Sequence, residues 1–157
     1  MPRWRRRPGT RRSGILETAS PVATVQIEIP PRSAYVGVVR LAIASLARAA
    51  EFAEDTVEDL KIAVSEACAN AVLSMQEARS SDPVSVVWLE EGDRIVIEVG
   101  DRGMGHEAPG GEDVDSQGFS TRLVMSHALL TALVDEYQFV PRDSGGMVSR
   151  LIMTRPS

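Results

Sequence analysis

Cysteine is almost missing from this chain. A single Cys68 among 157 residues excludes an internal disulfide framework and a four-cysteine zinc site. Histidine is nearly as scarce, and His106 and His127 lie too far apart for a metal-binding spacing. No run approaches 18 apolar residues, so no helical membrane span is expected. Aromatic residues make up 4%, and lysine is reduced to Lys61. What remains is ordinary for a globular protein: 43% hydrophobic and 25% charged residues, which argues against wholesale disorder. The length suggests one domain with a substantial core, since chains of this size bury roughly 70% of their unfolded surface. These absences together make the cytoplasm the expected compartment.

Charge is unevenly distributed. Residues 1–20 carry Arg3, Arg5, Arg6, Arg7, Arg11 and Arg12 against Glu17, a balance of +5, which leaves −10 on residues 21–157. The first segment also holds Pro2, Pro8, Gly9 and Gly14 and shows no periodicity, as expected of a disordered basic tail. It reads either as an arm for an acidic surface or nucleic acid, or as a plain solvated extension. No apolar stretch follows the arginines, as a secretory signal would require. The acidic remainder is poorly suited to gripping phosphate backbones, so direct nucleic-acid binding is not expected. It suits a basic protein partner better. A phosphate ligand would need a divalent cation to offset its field.

The pattern predicts the order β-α-α-β-β-α-β-β. Val22–Ile29 alternates with period 2, and Pro30-Pro31 ends it. Ser33 offers an N-cap for a helix to about Ala50, with Val36, Val39, Ile43, Leu46, Ala47 and Ala50 on its apolar face. Asp55 or Thr56 is placed to cap a second helix to about Ala78, with Glu58 and Asp59 in its first turn. Val84–Leu89 and Ile95–Val99 read as a hairpin about Glu90-Glu91-Gly92-Asp93. Gly100–Gly118 reads as a glycine-rich loop, Thr121–Leu133 as a third helix with Met125 and Leu129 in the core. Glu136–Val140 and Val148–Met153 are the last strands. Helices on one face of a mixed, mostly antiparallel sheet make a two-layer α+β sandwich over residues 21–157.

The second helix contains an anomaly. From Ile62 to Leu73 it is apolar or small apart from Ser65, Glu66 and Asn70. Glu66 and Asn70 are four apart and stack on one face, flanked by Ile62, Ala63 and Leu73. Leu60, Val64, Ala67 and Ala71 form another apolar stripe. A carboxylate and a carboxamide on a helix that looks buried need partners, because an unpaired buried charge costs several kcal/mol. Either Glu66 pairs with an arginine and Asn70 with a nearby loop, or the pair forms a site in which the carboxylate acts as a base and the carboxamide oxygen binds a metal. Cys68, on the same helix, reads as a packing residue.

After the hairpin comes Gly100-Asp-Arg-Gly-Met-Gly105. Asp101, Gly103 and Gly105 form Asp-x-Gly-x-Gly at a strand exit, where glycines let a ligand approach the backbone. An aspartate fixed there can accept a hydrogen bond from an exocyclic amine such as that of adenine. Taken alone, the pattern is equally that of a common turn.

Taken together, Glu66-x-x-x-Asn70-Ala71, the hairpin, and Asp101-x-Gly103-x-Gly105 resemble the GHKL ATPases, the superfamily of gyrase and histidine kinases. The stretch Ile62-Ala-Val-Ser-Glu-Ala-Cys-Ala-Asn-Ala-Val72 more narrowly resembles bacterial anti-sigma factors that are also serine-protein kinases. Gly145-Gly-Met-Val-Ser-Arg-Leu-Ile152 is similar to their last turn and strand. The resemblance covers roughly Ala23–Thr154. It implies a Bergerat-type ATP-binding fold that sequesters an alternative sigma factor. It also implies that ATP is used to phosphorylate a serine on an anti-sigma-factor antagonist, the partner switching of stress responses. By that resemblance Glu66 is the general base, Asn70 holds Mg2+ on the triphosphate, Asp101 reads adenine, and Gly103 and Gly105 shape the nucleotide wall and a lid hinge. A homodimer is implied in the same way.

One box departs from the family's pattern. A second glycine box, Gly-x-Gly-Leu, usually opens the third helix and cradles phosphates. Counting back from Leu129–Glu136 puts Val124-Met125-Ser126 in its place. Either the helix is extended and Gly118 supplies the phosphate turn, or the box is degenerate. The expected lid, His106–Gln117, is acidic. The alternative function is therefore a non-catalytic binding module on the same fold.

Overall fold

The computed structural model describes residues 23–100, 116–141 and 146–157, with backbone alone for 116–120. The elements are β1 (Thr24–Ile29), a 3-10 turn (Ser33–Tyr35), α1 (Val36–Ala49), α2 (Glu54–Glu77), β2 (Val84–Glu91), β3 (Arg94–Gly100), α3 (Ser116–Leu133), β4 (Glu136–Pro141) and β5 (Met147–Thr154). This is the expected order. The basic segment 1–20 and residues 101–115, which include Asp101, Gly103 and Gly105, lie outside the described residues.

The strands form one sheet in the order β1-β2-β3-β5-β4. Every described pairing is antiparallel, so no parallel pair is needed to account for it. Because side chains alternate across a strand, register alone sorts the two faces. The row Val25–Trp88–Ile97–Leu151–Tyr137 runs across all five strands. Its central members Trp88, Ile97 and Leu151 are buried in the same core as Val39 and Ile43 of α1 and Leu60, Ala63, Val64 and Ala67 of α2. The alternate row Glu98–Arg150–Gln138 belongs to the opposite face. There Arg150 Nε lies 3.3 Å from Glu98 Oε1 and Nη1 donates to Gln138 Oε1 at 3.2 Å. One apolar face takes the helices and the other carries polar cross-strand pairs, which makes the α+β sandwich.

Turn chemistry closes the hairpin. Gly92, at φ +59, leads the two-residue connection between Glu91 and Arg94. A turn that matches the right-handed strand twist needs positive φ there.

Helix boundaries differ from the expectations in three places. Ser33 opens the 3-10 turn and no side chain caps α1, which begins at Val36. α2 begins at Glu54 after an uncapped Ala53, so Glu54 and Asp55 occupy its first turn. Glu54 is held by Arg48 of α1, whose Nε donates to Oε2 at 3.1 Å. That ion pair lowers the Glu54 pKa, chiefly through the Arg48 hydrogen bond, and gives the helix start an anchored carboxylate without a capping residue. α3 begins at Ser116 rather than Thr121.

Two expected core residues are also displaced. Met125 and Leu129 are 69% and 40% exposed, whereas Ser126 and Leu130 are buried. The inward stripe of α3 lies one residue further on, because Ser126 meets the polar pair of α2. Ile62, expected to flank that pair on a buried face, is half exposed.

Candidate active site

α2 is gripped from two sides by different polar residues. Ser65 Oγ donates to its own helix at Lys61 O (2.6 Å) and accepts from Arg40 Nε of α1 at 2.8 Å. One residue on, Glu66 turns toward α3. Four residues further, Asn70 projects on the same face.

On α3, Arg122 and Ser126 are likewise four apart, and the two pairs interlock. Arg122 Nε donates to Asn70 Oδ1 at 3.1 Å, Asn70 Nδ2 donates to Ser126 Oγ at 2.5 Å, and Ser126 Oγ donates to Glu66 Oε1 at 2.9 Å. The ends of this chain fix its direction. A guanidinium only donates, so Asn70 must turn its oxygen to Arg122. A carboxylate only accepts, so the serine proton must lie toward Glu66. Ser126 is buried, Glu66 and Asn70 are half-buried, and Arg122 is exposed. The arginine expected to pair with Glu66 is not found there among the described residues: its partner is the Ser126 hydroxyl. The arginine reaches Asn70 instead.

Chemically, a serine hydroxyl sits with its proton directed at a carboxylate, which is the ground-state geometry of general-base catalysis. The oxygens of Asn70 and Glu66 are hard donors of the type Mg2+ prefers. Among the described residues no group of three or more His, Cys, Asp and Glu side chains gathers as a metal site. A cation here would thus depend on phosphate oxygens and water for most of its ligands, the usual habit of Mg2+. The donor set fits such an ion once Arg122 leaves Asn70 Oδ1.

Of the other expected site residues, Gly118 falls within the first turn of α3, so the third helix is extended through positions 124–126, where a glycine box would interrupt it. Gly100, which precedes Asp101, ends β3 against Val148 and Ser85. Sequence reasoning did not single out Ser126 as a site residue. The signal for it was the Arg122-x-x-x-Ser126 spacing, which matches Glu66-x-x-x-Asn70.

Cys68 lies in the core behind this face, and burial pushes its thiol up to about 12.

Comparison with known proteins bears on the same region. A family model described as a histidine kinase-like ATPase domain matches residues 29–153. Proteins named serine-protein kinase RsbW are similar to part of the chain. The one from Bacillus licheniformis is 40% identical over 79 residues, covering 50% of this chain and 49% of the relative. That from Bacillus pumilus is 38% identical over 84 residues, 52% of each. That from Bacillus subtilis is 37% identical over 79 residues, 50% of this chain and 49% of the relative. The chain spans about half the length of the curated relatives it matches.

Proposed function

Because the chain belongs to the histidine kinase-like ATPase domain family, we propose that it is an anti-sigma regulatory factor: it sequesters an alternative sigma factor and uses Mg-ATP to phosphorylate a serine of an anti-sigma-factor antagonist. The observation that carries the reading is the hydroxyl–carboxylate contact at Glu66, where the Ser126 hydroxyl donates to a carboxylate on α2 across 2.9 Å, oxygen to oxygen. The relatives named as serine-protein kinases support the phosphoryl acceptor.

In this reading Glu66 accepts the proton of the acceptor hydroxyl as that oxygen bonds to the γ-phosphorus of ATP, the bond from that phosphorus to the bridging oxygen breaks, and ADP leaves. Asn70 holds the Mg2+, which when bound neutralises the developing charge on the phosphates. Asp101 reads the adenine amine, Gly103 and Gly105 line the nucleotide, and Gly118 lies where a helix N-terminal turn can take phosphate. The protein's contribution is positioning and electrostatics, which phosphoryl transfer needs more than covalent help. The acidic body, −10 over residues 21–157, favours a basic face on its protein partners.

The test is transfer of labelled γ-phosphate from ATP to a candidate antagonist. Glu66→Gln is expected to slow transfer by about a hundredfold or more while leaving Mg-ATP binding. Saturating Mg-ATP is expected to raise Tm by about 5–10 °C, from the roughly 2.7 kcal/mol available at a hundred times Kd. An unmoved Tm at millimolar Mg-ATP would sink the reading.

A further inference from the structure

The interlocked chain between α2 and α3 occupies atoms of both α2 residues that the proposed reaction uses. Glu66 Oε1, the proton acceptor, is taken by Ser126 at 2.9 Å. Asn70 Oδ1, the cation ligand, is taken by Arg122 at 3.1 Å. The Asn70 amide is committed to the same serine at 2.5 Å. A serine hydroxyl on Glu66 is also the chemical species that the proposed acceptor would bring. We propose that Ser126 is a positioning residue that acts as an internal stand-in for the acceptor, holding Glu66 and Asn70 in a self-satisfied state that nucleotide and acceptor must displace. This rests on the reading of Glu66 as the base.

Three features support a stand-in over ordinary packing. Ser126 is buried, yet its hydroxyl spends both its donor and one acceptor position on α2 rather than on its own helix. Buried helical serines have a local alternative, the carbonyl four residues back, and Thr131 of the same helix takes it, donating to His127 O at 2.7 Å. The stripe that includes Ser126 continues into Leu130, which is fully buried, so an apolar residue at 126 would match the core equally well. Finally, Glu66 and Asn70 are only half-buried, so water can satisfy them when the hydroxyl is removed. The contact is therefore not required to protect a sealed charge.

The stand-in makes a specific prediction. A water or acceptor hydroxyl reaches Glu66 only in the fraction of molecules where Ser126 has let go. Removing the hydroxyl in Ser126→Ala is expected to raise Glu66-dependent ATP hydrolysis about tenfold and to tighten Mg-ATP binding by a similar factor, the size of one charge-assisted hydrogen bond. Ser126→Thr, which keeps the hydroxyl, is expected to retain the parent values. Ser126→Cys, which keeps the volume with a weak donor, is expected to follow Ser126→Ala and covers the case in which the alanine variant melts early. Hydrolysis and the Mg-ATP Kd are measured on the full chain, with Glu66→Gln as the blank.

Equal Kd and equal hydrolysis in the parent and the alanine and cysteine variants would overturn the stand-in while leaving the kinase reading in place. Slower hydrolysis in folded variants would also overturn it, since Ser126 would then support the base. No Mg-ATP binding by any of them would remove the kinase reading and the stand-in together. Phosphate appearing on Ser126 in the intact mass would make it an acceptor, which also contradicts the proposal.

Discussion

Cys68 and Glu66 are two residues apart on α2 and show what a turn of half a helix does to a polar group. Glu66 faces α3, where a hydroxyl meets it. Cys68 lies in the core with no accessible surface, and burial raises its thiol from 9.0 to about 12. The consequence for stability has a definite sign. The unfolded chain releases this proton near pH 9, whereas the folded chain keeps it until about 12. Below pH 9 both states are protonated and the contribution is complete. Above it the unfolded state is favoured by about 1.4 kcal/mol per pH unit until the folded thiol ionises. Urea unfolding of the parent and Cys68→Ala between pH 8 and 11 is expected to give a difference curve that is flat to pH 9 and then falls for the parent. Tyr137, also raised by burial, is common to both proteins and cancels in the difference. A parallel pair of curves would show that the thiol is hydrated in the native state.

At the scale of elements, the ends of α1 and α2 share one device. Glu51 N donates to Arg48 O at 3.0 Å and Phe52 N to Ala47 O at 3.1 Å; Arg79 N donates to Gln76 O at 3.0 Å and Ser80 N to Met75 O at 2.9 Å. Both are Schellman terminations, and both place a side-chain-bearing residue in the left-handed region, Glu51 at φ 63 and Arg79 at φ 52. That conformation costs an L-residue about 1 kcal/mol relative to glycine. Arg79→Gly is therefore expected to raise Tm by about 2–4 °C, as read by thermal melting, and a lower Tm would mean that the Arg79 side chain holds the turn. Glycine is the usual sign of such an end, and neither helix offers one, yet both ends were legible where the apolar spacing stops, at about Ala50 and Ala78, one residue past Ala49 and Glu77. The strands were legible because alternation is local: Val25, Ile27 and Ile29 alternate with Thr24, Gln26 and Glu28 within one segment. Glu66 and Asn70 were legible as a polar pair in an apolar helix. Their partners were not, since Arg122 and Ser126 lie 52 to 60 positions away on a helix whose exposed Val124 and Met125 blur its apolar face.

The whole molecule rests on one core rather than separate helical and sheet layers. Residues of β1, β2, β3 and β5 join those of all three helices in a single buried cluster, so neither layer has an apolar face of its own to bury when the other opens. Ile97 on the central strand β3 is fully buried between Trp88 and Leu151. Cutting it to alanine removes contacts that the sheet makes with its neighbours and with the cluster above, at about 3 kcal/mol, or roughly 6–12 °C in Tm. Trp88 reports the same place: it is buried and its Nε1 donates to Glu90 Oε1 at 3.2 Å. In a Trp4→Phe background its fluorescence follows the sheet, while far-UV circular dichroism is dominated by the helices. If the core is one cooperative unit, Ile97→Ala moves both transitions by the same amount and leaves them superimposed. A fluorescence transition that falls while the helical signal stays at its parent temperature would instead show that α1 and α2 hold together without the sheet.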